Sequence, residues 1–83
     1  MAHSIHPPLM PDRIDGMMLM PVGPTLWRVV DPTGRAVGHV LVDGDGGERR
    51  FVARRFRIAD HAFRDVGAFW TLREAIECLR FSR

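Results

Sequence analysis

The sequence predicts an α+β domain, a three-stranded antiparallel meander with one C-terminal helix packed on one face. Three observations carry this reading. Apolar runs with strand character fill residues 25 to 58 and are separated by short turn signals. Connections this short join antiparallel neighbours and leave no room for parallel crossovers. Residues 71 to 79 then carry a helix cap followed by an apolar stripe of helical period. The 83-residue chain has room for one small domain. A chain this short buries only roughly 60% of its unfolded surface, so a binding partner is an expected source of added stability.

Residues 1–24 read as a Pro/Met-rich tail, with the folded domain over residues 25–83. Five of the six prolines (Pro7, Pro8, Pro11, Pro21 and Pro24) and all five methionines lie in the tail. No period of 2 or 3.6 is sustained there. Its one apolar cluster, "MMLM" from Met17 to Met20, suits either an adaptable anchor for a partner or a cover for the domain's own sheet.

The first expected strand is Thr25 to Asp31, and Pro32 to Gly34 form a turn. Arg35 to Val42 form the second strand. "DGDGG", from Asp43 to Gly47, tolerates positive φ and reads as a hairpin loop. Glu48 to Ile58 form the third strand. Ala59 to Trp70 read as a loop pinned by Phe63, Val66 and Phe69, with room for a short fourth strand. In the helix Thr71 caps the first turn and Glu74 reaches back to it. Leu72, Ala75, Ile76 and Leu79 make one stripe.

The third strand poses a question of faces. Phe51 and Phe56 are an odd number of residues apart, so a continuous strand points them to opposite sides. The side with Val52, Phe56 and Ile58 has more apolar residues and is expected to meet the helix. The side with Arg49, Phe51, Arg55 and Arg57 is then open. A bulge at Arg54–Arg55 would instead turn both rings inward.

Composition excludes several classes. One cysteine forbids an internal disulfide, which fits a cytoplasmic protein. No apolar run approaches a membrane span. The net charge is +2, and all twelve basic residues are Arg. Guanidinium groups hold their charge and grip phosphate or carboxylate with two bonds. Asn and Gln are absent, which removes the usual two-bond reading of adenine.

Sites for chemistry are sparse. Asp43 and Asp45 match the first two ligands of a calcium loop, but Glu48 falls where glycine is required and Arg54 where the bidentate glutamate belongs. His39 and His61 have no companions at zinc spacing. Cys78 sits at the edge of the helix stripe as a small buried hydrophobe. Asp60, His61 and Asp65 are close in sequence but show no recognisable pocket. The expectation is a non-enzymatic chain without metal or cofactor.

"FWTLREAIECL", Phe69 to Leu79, resembles the Phe-x-Thr-x-x-Glu-Ala-x-x-x-Leu helix start of the arm-type DNA-binding domain of phage and transposon integrases. The fold of that family is shared with plant ethylene-response-factor domains. "LWRVVDPTGR", Leu26 to Arg35, is similar to its first hairpin. The resemblance spans Thr25 to Phe81. It implies a three-stranded sheet laid in the major groove, with exposed side chains on bases and phosphates. By position it implicates Arg28, Arg35, Arg49, Arg55 and Arg57, and Phe51 lies on the same open face as a ring for stacking. The segment between third strand and helix is longer here than in that family.

The functional expectation is therefore a freestanding DNA-binding module that places arginines on the phosphate backbone and in the groove. The competing expectation is a protein-interaction or regulatory subunit, homodimeric in one version, that uses Phe51 and the methionine-rich tail.

Overall fold

A computed structural model describes residues 10–81. It has strands β1 (Arg13–Ile14), β2 (Met17–Gly23), β3 (Leu26–Val30), β4 (Ala36–Asp43), β5 (Arg50–Arg57) and β6 (Ala62–Phe69), then helix α1 (Leu72–Phe81). The six strands form one antiparallel sheet in sequential order. The α+β class and the C-terminal helix hold, while the three-stranded meander is corrected to six strands.

Each added strand has a local cause. β1 and β2 are joined by Asp15 and Gly16, whose φ angles of 51° and 82° are both left-handed. That is the two-residue turn Asp-Gly favours between antiparallel strands. β2 then alternates, with Met17 and Leu19 buried and Met18 and Met20 exposed. Leu19 pairs with Val29 and Pro21 with Trp27, which carries the sheet across the expected tail boundary. Residues 10–24 therefore contribute strands and core side chains, and residues 1–9 lie outside the described residues. β6 occupies the expected loop. Ala53 pairs with Gly67 and Arg54 with Asp65, so Val66 is an extra residue on β6. Such a bulge reverses the inward–outward phase of the strand beyond it.

The expected turns and cap are present. The Asp31 carboxylate accepts bonds from the Thr33 amide (2.9 Å), the Thr33 hydroxyl (2.6 Å) and the Arg35 amide (2.9 Å). Gly34 follows with φ 90°. The β4–β5 loop tightens through a 3-10 turn at Gly46–Glu48. At the helix start the Glu74 amide donates to Thr71 Oγ1 and the Thr71 amide to Glu74 Oε1, both at 3.2 Å. These are the two reciprocal bonds of the capping box.

The core lies between the helix and one sheet face. Leu19, Trp27, Val29, Val40, Val42 and Ala53 supply the sheet side, and Ala75, Ile76 and Leu79 the helix side. The helix lies over β4, β5 and β6. Its seat is built from small residues. Ala53 is flanked across the sheet by Val40 and Gly67, and Gly38 lies against Leu79.

The two phenylalanines of β5 are reversed from expectation. Phe51 pairs with Val42 and Phe69 and packs against the core. Phe56 is 43% exposed. β5 alternates without interruption, because the bulge nearby places its extra residue on β6. The physical reason is the helix seat. Ala53 is fully buried, and Phe51 shares its face. A helix approaches a sheet most closely over small side chains, so the face with fewer apolar residues won.

Candidate functional site

The sheet face turned away from α1 carries no second layer among the described residues. We call it the open face. Register brings Met20, Arg28, His39, Arg54 and Asp65 into one row across β2 to β6, each paired with the next. Arg54 Nε donates to Asp65 Oδ1 at 2.7 Å. Arg28 has no ion pair among the described residues. Between these guanidinium groups the His39 imidazole is held below its ordinary pKa. Partial burial is the largest cause, followed by the positive charges of Arg28 and Arg54. At neutral pH it is a flat, uncharged ring.

Aromatic rings adjoin this row. The His39 ring stacks on Phe63 with centroids 4.3 Å apart and an interplanar angle of 24°. Phe63 in turn meets Phe56 edge to face at 5.2 Å. The open-face residues farther along the sheet are Leu41 and Val52, then Arg50. The Arg50 guanidinium lies 3.6 Å over the ring of Trp70, which is 58% exposed. Phe63, stacked on His39, and Trp70, under the Arg50 guanidinium, are thus two ring stations on one face, roughly 20 Å apart at strand spacing.

A cleft opens beside the first station, where β4 and β5 part. Their last pair is His39 with Arg54, whereas β5 and β6 stay paired out to Arg57 and Ala62. Arg28, Arg35, His39, Phe56, Phe63 and Arg80 line the cleft. Of its two carboxylates one is paired with an arginine and the other keeps its charge. Arg73 Nη1 grips Asp15 at 2.8 and 2.9 Å. Asp31 is held below the usual carboxylate range by the Thr33 hydroxyl bond first and the Arg35 amide next. Arg28, Arg35 and Arg80 have no ion pair among the described residues, and together they outnumber the Asp31 charge, so the cleft is cationic.

Of the residues implicated from sequence, Arg28, Arg35 and Arg55 converge on this cleft. Arg55 reaches it from the helix side, and its Nη2 donates to the Leu79 carbonyl at 2.8 Å. A cation there also suits the negative end of the helix dipole. Arg57 lies at the far end of β5, where it shares Asp60 with Arg64 at 3.7 and 2.8 Å. Arg49 precedes β5 at the opposite end, and Phe51 is packed against the core. The open face therefore belongs to Arg50, Arg54 and Phe56, not to Arg49, Phe51 and Arg55. His39, Phe63 and Trp70 join them from β4, β6 and the residue after β6. Their signal in the sequence was the strand alternation itself, which reads either way until the helix seat is known.

The remaining candidates do not converge. Asp60 and Asp65 are tied to arginines, and His61 sits in the β5–β6 turn with φ 51°. Among the described residues no group of three His, Cys, Asp or Glu side chains could hold a metal ion, and no helix is long and apolar enough to cross a membrane. No protein-family model, curated protein or solved structure matches the chain.

Proposed function

We propose that this chain is a non-enzymatic DNA-binding module whose contact surface is the open sheet face together with the arginine-lined cleft. One observation supports the reading: Arg28, Arg35 and Arg80 line one cleft without an ion pair among the described residues, beside the exposed rings of Phe56 and Phe63. Phosphate supplies the missing counter-charge. Arg28 and Arg35 contact the backbone, and Arg54 can exchange Asp65 for a phosphate or a guanine edge. The resemblance to integrase arm domains points to the same ligand by a different sheet geometry.

Fluorescence anisotropy of labelled DNA over a salt series tests this proposal. Affinity should fall linearly on logarithmic axes as salt rises, and Arg28→Ala should reduce the slope by about 1. No binding at low salt, or an affinity indifferent to salt, would overturn it. The competing interaction reading relied on Phe51 and the methionine cluster. Phe51 packs on the core and stays partly buried, and Met17 is buried, so Met18 and Met20 are the exposed members of that set.

A further inference from the structure

We infer that the strand bound on the open face is single-stranded, with bases stacked on the Phe63 and Trp70 stations. This inference rests on the nucleic-acid reading above and specifies its substrate. A duplex keeps its bases paired and stacked, and offers a sheet only groove edges and phosphates. It gives the arginines partners but leaves the rings of Phe56, Phe63 and Trp70, which are 43%, 45% and 58% exposed, without apolar cover. A single strand presents base faces and phosphates together, and each finds its match here. Phe63 already stacks on the uncharged His39 ring, and Trp70 on the Arg50 guanidinium. Base planes extend such stacks with the same geometry.

Other occupants fit less well. An apolar protein surface would cover the rings but would bury Arg28 without a counter-charge, at a large desolvation cost. A second copy related by two-fold symmetry would offer Arg28, from the same row, only Asp65, which Arg54 already holds. A polyanion with accessible aromatic faces satisfies both halves of the surface.

The test uses the full chain with labelled pyrimidine oligomers of about 15 nucleotides, a length that covers the site of a typical single-strand binder. Oligo-dT, oligo-U and a mixed-sequence duplex of equal length are compared at one salt concentration. The single strands should bind at least tenfold more tightly than the duplex and quench the tryptophan emission, a quench that Trp70→Leu should abolish because Trp27 is buried. The dT and U arms distinguish DNA from RNA. Phe63→Leu, with the far-ultraviolet spectrum of the parent, should weaken single-strand binding about fivefold or more. If Phe63→Leu fails to fold, Trp70→Leu at the exposed second station gives the same readout. Duplex binding equal to or tighter than single-strand binding, or ring variants without effect, overturns this inference and leaves the nucleic-acid reading standing. No binding to any of the three oligomers overturns both.

Discussion

Replacing Gly38 by alanine probes the contact that seats the helix and defines the cleft. Elsewhere in a strand this change stabilises a protein by about 0.4–1 kcal/mol, because it stiffens the unfolded chain. Gly38 is not among the residues with positive φ, so its backbone raises no objection. Space does. A Cβ there would overlap the Arg54 carbonyl oxygen and lie 2.9 Å from Leu79 Cδ2. The leucine end can shift by a rotamer change, but the carbonyl is backbone. Restoring an ordinary carbon–oxygen separation of about 3.3 Å requires β5 to move away from β4 by roughly 1 Å. That movement falls beside His39–Arg54, the last β4–β5 pair. Overpacking of this kind costs about 1–3 kcal/mol, and a backbone obstacle places it near the upper end. Less the gain from the unfolded chain, the expected loss is about 2 kcal/mol. In a domain of this size that lowers Tm by roughly 8–16 °C. Thermal unfolding followed by circular dichroism measures it. Gly47→Ala is the control, since a Cβ there meets nothing within 4 Å. It should leave Tm unchanged or slightly raised. If Gly38→Ala melts at or above the parent while the control behaves as expected, the close approach of the Arg54 carbonyl to Gly38 is wrong.

Two further outcomes follow from the same packing. Phe51→Ala should cost about 3 kcal/mol, because Phe51 packs on the core, whereas Phe56→Ala should cost about 1 kcal/mol or less; urea unfolding midpoints that rank them the other way would restore the opposite face assignment. His39 supplies a pH dependence. Its folded pKa lies below the ordinary value of 6.5, so as pH falls the unfolded chain takes up the proton first. The stability from neutral His39 is full above about pH 6.5 and is lost as pH falls below it towards the folded value. Tm should therefore decline across that window in the parent, and His39→Leu should flatten the decline; an identical slope in both proteins would remove His39 as its source.

Several features were legible in residue types alone. The Thr71–Glu74 box and the Leu72, Ala75, Ile76, Leu79 stripe are local patterns, and the helix formed where they stand. The Asp31 and Asp43–Gly47 turns likewise depend on side chains and backbone freedom within a few residues. Asp15-Gly16 was a signal of the same kind, sufficient to mark the β1–β2 hairpin. β2 itself was hidden because Met17, Met18, Leu19 and Met20 are all apolar, so a period of 2 leaves no trace in their polarity. β6 was hidden by its bulge. Phe63 and Phe69 share a face in an unbroken strand, but Val66 shifts the phase, and they end on opposite sides. The choice of face on β5 belongs to tertiary structure alone. Alternation divides its arginines and phenylalanines into two sets, and counting apolar residues favours the set with Phe56. The helix instead settles over Ala53 and Gly38, because close packing rewards small side chains at the point of nearest approach. Two small residues on separate strands, Ala53 and Gly38, create that seat. Only their assembly in the sheet turns Arg50, Arg54 and Phe56 outward and brings Arg28, Arg35 and His39 to the same cleft.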